Sequence, residues 1–290
     1  MANRRQPFVA GQFYPAREND CRRELEQYTQ YNSESAEPDG APCVGIVPHA
    51  GWVFSGPTAG KVFRFIKDRI TPETFILLGA AHRAFSRQPV LYPDGAWDTP
   101  LGPVAVDGQI ASALADTSET PVLCDPALHD GEHSIEVQAP FIKFLFPDAR
   151  IVPVLVPPGD TAATFGNAVG RVLEQNPGRV AVVASTDLTH YGHQYGFAPK
   201  GEGEEAHRWA KQVNDQRFID AALSLDGNQI LEDAVQYRNA CGAGAAAAAV
   251  TAAKHVGARG GLLEHVTSHE VMPRGRPSMF VGYAGIVFCI

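Results

Sequence analysis

Short apolar runs alternate along this chain with longer stretches whose apolar residues recur every three to four positions. The first pattern predicts buried strands and the second predicts amphipathic helices. Val44-Gly45-Ile46-Val47, Phe75-Ile76-Leu77-Leu78, residues 151–156 and residues 180–184 read as buried strands. Helical spacing covers 20–31, 58–70, 110–115, 133–146 and 162–174. It returns over 204–225 and 227–237, and an alanine-rich helix is expected over 242–255. Residues 32–41 read as a polar loop, and 90–106, with its Pro, Gly and Trp97, as short strands and turns. Two closing strands are expected at 262–266 and 280–288. Repeated β-then-α order of this kind predicts an α/β sandwich with a mostly parallel central sheet flanked by helices. No internal repeat and no long linker interrupts it, so residues 1–290 are expected to form a single domain.

In such a sheet, ligands bind in the crevice beyond the carboxyl ends of the strands. Here 44–47 is followed at once by His49, 75–78 by His82, and 180–184 by Asp187 and His190. Any one of these histidines would ordinarily be structural. Three on the same predicted rim point to a site, because neutral imidazole is a common ligand for Fe, Zn, Cu and Ni. Gly51 and Gly56 near His49 permit close backbone approach, although a plain strand-to-helix turn would use them too. His133 and Glu136 are three apart on a predicted helix and share a face. A histidine beside a carboxylate can serve as general acid/base or as an orienting partner. The alternative is a glutamate complementing a helix N-terminus. Cys241 precedes the alanine-rich helix, whose N-terminus favours a thiolate. On position alone, a small buried hydrophobe is its commoner fate.

Composition narrows the field. Lys plus Arg is 24 and Asp plus Glu is 32, a formal charge of −8. That balance argues against sequence-independent nucleic-acid binding, which needs a basic face. No secretory h-region opens the chain, and the small-apolar run 243–253 is far too short to span a bilayer. Five widely spaced cysteines without a CxxC suit reduced thiols in a cytoplasmic setting. Two motif matches fail on context. Gly242-Ala243-Gly244 fits a dinucleotide fingerprint but follows a polar stretch rather than a buried strand, and the P-loop-like Gly56–Lys61 has a short spacer and lacks the Ser/Thr.

Taken together, several segments resemble the Memo family, whose bacterial members are often called AmmeMemoRadiSam system protein B. They are Val9-Ala10-Gly11-Gln12-Phe13-Tyr14-Pro15, Pro48-His49-Ala50-Gly51-Trp52, Leu78-Gly79-Ala80-Ala81-His82 and Glu132-His133-Ser134-Ile135-Glu136-Val137-Gln138. Ser185-Thr186-Asp187-Leu188-Thr189-His190-Tyr191-Gly192, Cys241-Gly242, Thr267-Ser268 and Val281-Gly282-Tyr283-Ala284 complete the series. The resemblance implies a fold similar to class III extradiol dioxygenases, which hold Fe(II) with two His and one Glu. Carried over, His49 and His82 would be metal ligands and Cys241 would replace the carboxylate. His190, supported by Asp187, would take the acid/base place, with His133 as a further catalytic group. Tyr14, Trp52 and Glu136 would touch substrate. A thiolate widens the choice of metal from Fe(II) to Zn or Cu. It also weakens transfer of the reaction, since fold analogy does not establish chemistry. Where the family often has Thr-Ser-Gly-Asp, this chain has Thr267-Ser268-His269-Glu270, and His269 is expected at a strand end rather than in the site. The implied functions are a metal-dependent oxidoreductase or dioxygenase acting on a small molecule, or a module binding a peptide or protein. The bacterial family name adds a third, partnership with an AMMECR1-like protein and a radical enzyme.

Overall fold

The computed structural model describes residues 3–30, 38–83 and 86–290. Tyr31 and most of the predicted loop 32–41 lie outside them. The strands are β1 (Arg4–Arg5), β2 (Pro42–Val47), β3 (Thr74–Gly79), β4 (Val90–Leu91), β5 (Ala96–Trp97) and β6 (Val104–Ala105), then β7 (Leu123–Cys124), β8 (Arg150–Leu155), β9 (Val180–Ser185), β10 (His190–Tyr191), β11 (Arg259–Thr267) and β12 (Phe280–Cys289). The helices are α1 (Glu18–Tyr28), α2 (Trp52–Arg69), α3 (Gly108–Thr117), α4 (Ala139–Leu145) and α5 (Asp160–Gln175), then α6 (Glu204–Trp209), α7 (Gln216–Leu223), α8 (Gly227–Tyr237), α9 (Ala243–His255) and α10 (Ser268–Val271).

The main sheet runs β10-β12-β2-β9-β3-β8-β4-β7, with β11 also paired to β12. Its centre, β2-β9-β3-β8, is parallel. The strand β12 joins β2 antiparallel, and β4 joins β8 antiparallel. The fold is therefore α/β with a mixed, mostly parallel central sheet. Alternate residues of each central strand serve opposite cores. Ile76, Leu78, Val152, Val154 and Val182 face a core built with α5 and α9. Phe75, Leu77, Ile151, Leu155 and Val183 face one built with α1, α2 and α4. Burial on both faces explains why these strands read as continuous apolar runs.

Small residues set the spacing of the layers. The buried alanines of α9 let it lie close to α5, where a Cβ at Gly166 would meet the Ala248 carbonyl oxygen at 2.5 Å. A Cβ at Gly244 would strike the carbonyls of Val156 and Pro157. The Gly-x-Gly match is thus a packing feature. Three helices depart from the sequence pattern. The helix α2 begins at Trp52 and carries Pro57 inside it, six residues before the expected start. Proline removes one intrahelical donor, but the helix is held there because Gly56 and Gly60 admit Tyr28 against its side. The predicted helix 133–146 is regular only over α4, after a 3₁₀ turn Glu136–Gln138, because Pro140 cannot donate and sits where it does no harm, in the first turn. Its expected apolar stripe, Ile135, Ala139, Ile142 and Phe146, is buried as a whole. The predicted 204–225 helix contains a π-helical turn, Ala210–Asp215. No described helix is long and apolar enough to cross a membrane.

The N-terminal segment is anchored through β1. Arg5 Nη1 meets Glu136 Oε2 at 2.8 Å, with both side chains almost fully buried, and Arg5 lies 4.2 Å over the Trp97 ring. Arg5→Ala leaves that carboxylate without its cation and is expected to lower unfolding free energy by about 3 kcal/mol in a urea titration. Arg4→Ala, on the exposed side of the same strand, should leave the curve nearly unchanged. Nearby, burial and the charge of Arg5 push His129 down to about 3. The unfolded chain binds that proton near pH 6.5 and the folded chain does not. Stability is therefore full above about pH 6.5 and falls toward pH 3, by about 1.4 kcal/mol per pH unit for this group. Urea midpoints taken across that range should fall less steeply in His129→Phe than in the wild type.

Candidate metal centre at the carboxyl edge of the sheet

Because β2, β9 and β3 are adjacent and parallel, their carboxyl ends open on one edge. His49 lies two residues beyond β2, Asp187 two beyond β9 and His82 three beyond β3. His133 arrives from the turn before α4, and Cys241 from the turn before α9. Ring nitrogens of His49, His82 and His133 all fall within 4.8 Å of one another, so these three residues could hold a divalent metal. The rings of His82 and His133 stack at 5.0 Å, and His49 stands edge-on to both.

Hydrogen bonds fix which nitrogen His49 and His82 present. The Ser185 hydroxyl donates its one proton to Ser134 O at 2.8 Å. His49 Nδ1, 2.9 Å from Ser185 Oγ, must therefore be the donor there. The lone pair of His49 Nε2 then faces Cys241 Sγ at 3.1 Å. His82 Nδ1 lies 3.1 Å from Glu132 Oε1, and a carboxylate there holds the proton on Nδ1, leaving Nε2 free to ligate. Glu132 also accepts from the backbone amides of His82, His133 and Ser134. Burial alone would raise its carboxyl; these bonds and the charge of His82 reverse that and hold it well below the usual carboxylate range.

The electrostatics suit a cation. Burial, reinforced by His82 and His133, keeps His49 neutral. Burial also lowers His133. For His82 burial pulls downward, but the bond to Glu132 outweighs it and raises the ring. Cys241 differs from the sequence expectation. Burial, then the charge of Asp187, push its thiol far up rather than down, despite the helix that follows. A nearby cation would invert that preference, as metals do for coordinating thiols. The donor set of imidazoles with an adjacent thiol therefore fits a divalent metal, His49, His82 and His133 forming the cluster and Cys241 standing beside His49.

Asp187 does not hydrogen-bond the His190 ring. Its Oδ1 accepts the His49 amide at 2.7 Å, and burial raises its carboxyl against the opposing pull of His190. His190 Nδ1 lies 3.1 Å from the Leu188 carbonyl, which can only accept, so Nε2 is left as a proton acceptor. Both residues line a cavity of about 480 Å³ together with His49, His82 and His133. Its walls come from Phe13, Phe54, Tyr195, Met279, Phe280 and Tyr283. Tyr14, Trp52 and Glu136 are not in that wall; they are buried behind it. Tyr14 Oη donates to Glu136 Oε1 at 3.0 Å, and Trp52 Nε1 donates to Val137 O at 3.1 Å. Glu136 turns from His133 to Arg5 and to the amides of Phe8 and Val9. His269 lies outside the cavity, its ring 5.4 Å from His207, and Thr267 with Glu270 forms a capping box. Sequence reasoning missed the orienting roles of Glu132 and Ser185. For Glu132 the available signal was a carboxylate directly preceding a rim histidine.

The description "Memo-like protein" belongs to the family model matching residues 5–287. A MEMO1 family protein of Methanopyrus kandleri is 38% identical over 296 residues, covering 98% of each chain. One from Thermococcus kodakarensis is 37% identical over 293 residues, covering 98% of this chain and 99% of the relative. Among solved structures, an uncharacterized protein of Escherichia coli K12 shares the fold with a TM-score of 0.54 at 14% identity, over 83% of this chain and 99% of that one.

Glu132→Gln removes the charge that orients His82. Zn(II) affinity measured by calorimetry on chelator-treated protein should fall about 10- to 100-fold. An unchanged Kd would exclude Glu132 from metal binding.

Proposed function

The chain belongs to the Memo family, and we propose that its histidine-floored cavity is the active site of a non-haem metal-dependent oxidoreductase of the dioxygenase type, acting on a small substrate. One observation carries the reading: three clustered imidazoles and a fourth with a free nitrogen, His190, face a single aromatic-walled cavity. Fe(II) is the favoured metal, with Zn and Cu as alternatives, and it would supply Lewis-acid and redox chemistry there. Cys241 is proposed as a further ligand beside His49.

The remaining work falls to protein groups. His190 Nε2 accepts a proton from a substrate hydroxyl, while the Leu188 carbonyl holds the ring in the accepting tautomer. Asp187, buried and lining the same cavity, holds the His49 backbone by accepting its amide. Tyr195, with its ring 5.1 Å from His190, limits the directions the imidazole can take. Phe13, Phe54 and Phe280 give the cavity an aromatic lining.

A peptide- or protein-binding role is the second reading, favoured by Met279 and Tyr195, which are 47% and 37% exposed where they line the cavity. The two readings separate in one experiment. Protein purified anaerobically is expected to carry near-stoichiometric metal, lost in His49→Ala. With simple catechols it should consume O₂, and His190→Ala should slow uptake by about 10²- to 10⁴-fold while retaining metal. Metal retained in His49→Ala would sink the centre. Absence of O₂ uptake by the loaded wild type would favour the binder.

A further inference from the structure

The chain after β10 closes into a small loop beside the cavity. Gly192 and Phe197 exchange backbone bonds at its neck, Gly192 N to Phe197 O at 2.8 Å and Phe197 N to Gly192 O at 3.2 Å. Between them a 3₁₀ turn, His193–Tyr195, ends at Gly196 in the left-handed region, φ 60°. The Tyr195 ring stands edge-on to the His190 ring at 5.1 Å and lines the cavity. On one side the tip meets Glu202 through His193 at 3.7 Å, both side chains being exposed. The stronger hold comes from the end of α8. Arg238 Nη1 donates to Gly196 O at 2.9 Å, and its Nη2 donates to Tyr195 O at 3.0 Å. Its guanidinium also lies 5.1 Å from the centre of the Phe197 ring. One side chain thus grips both the tip and the neck of the loop. Its backbone is strained to do so. Arg238 has φ 53° and ψ 42°, a conformation that helix ends normally give to glycine. Among the described residues, Leu225 alone shares a positive φ without being glycine. A residue held against its backbone preference directs attention to its side chain. Three residues on, the same connector delivers Cys241, whose amide donates to Asp187 O at 3.2 Å. Arg238 is exposed, so its grip is weak, as suits a loop that opens locally.

We propose that Arg238 is a positioning residue: it latches the Gly192–Phe197 loop as a lid, keeps Tyr195 over His190 and so sets access to the cavity. The lid's purpose rests on the cavity being the active site, but its first test needs neither metal nor substrate. Metal-free full chain is treated with diethyl pyrocarbonate, which acylates an unprotonated imidazole nitrogen. Each histidine is followed by peptide mass spectrometry. Arg238→Gly removes the guanidinium and suits the left-handed backbone, so its urea midpoint should equal or exceed that of the wild type. Modification of His190 should quicken about three- to tenfold, as far as an exposed charge-assisted hydrogen bond allows. His255, at the far end of α9, should react at an unchanged rate. Arg238→Lys keeps the charge without the planar fork and should fall between. Tyr195→Ala should match Arg238→Gly, and the double variant should gain nothing further. Equal His190 rates in wild type and Arg238→Gly overturn the proposal. So does a lowered urea midpoint, which assigns the arginine to the fold, and so do additive gains in the double variant. In the loaded chain, Arg238→Gly should raise KM for O₂-dependent turnover rather than lower kcat. A wild type without O₂ uptake defeats the oxidoreductase reading and leaves the latch decided by the His190 rates. Uptake with equal His190 rates upholds that reading and defeats the latch.

Discussion

The rim of this protein is organised by one buried carboxylate. Glu132 is 1% exposed and accepts from the His82 ring and from the amides of His82, His133 and Ser134. A carboxylate in that position is tolerable only when its oxygens are saturated by donors. The same bonds tie the loop after β3 to the turn before α4, two segments fifty residues apart. Two of the three clustered histidines owe their places to it. His82 also owes its ring orientation, and with it the nitrogen it offers to a metal.

The third histidine depends on the end of β9. Ser185 takes the His49 ring proton, and Asp187 takes the His49 amide. Asp187 also joins Cys241 through both backbone groups, its amide pointing at Sγ and its carbonyl accepting the Cys241 amide. The next residues are fixed from behind by the π-helical turn. Asp215 accepts the Thr189 amide and meets His265 Nε2 at 3.1 Å. Asn214 donates to the Thr189 hydroxyl. Gly282 has no room for a Cβ, because Asp215 fills that space. The π turn thus sets the backbone immediately before His190, which accords with the frequent placement of such turns at functional sites.

Much of this was legible in the sequence because burial on both faces writes itself as apolar runs. Those runs located β2, β3, β8 and β9 to within two residues, and the carboxyl-end rule then brought His49, His82, Asp187 and His190 to one edge. The site's walls were not legible. Phe13, Phe54, Tyr195, Met279 and Phe280 come from distant segments with no common period, and only the closed fold brings them together. Motif membership did not show where Tyr14, Trp52 and Glu136 direct their polar atoms. Each sits in a recognisable segment, but its polar atoms serve the protein interior. The periodic reading of 133–146 ran through Pro140, whose missing donor limits the regular helix to α4. That left His133 in a turn, where it could face His82 rather than Glu136.

The chemistry of the cluster follows from the same burial. In the absence of a cation, burial favours the neutral forms of His49, His133 and Cys241, and raises Asp187. Which nitrogen His49 and His82 turn toward the cluster is set by hydrogen bonds on the far sides of their rings, and His49 Nε2 there meets Cys241 Sγ. A divalent ion would therefore meet His49 and His133 already held neutral by burial, whereas Glu132 favours the protonated His82, which must give up a proton to ligate. The thiol's proton must likewise leave as the positive charge arrives. The rings of His49 and His82 are thus oriented by the protein, whereas the contribution of Cys241 is contingent on the metal. That division explains why histidine position could be read from strand ends, while the cysteine's part could not be settled by its place before a helix.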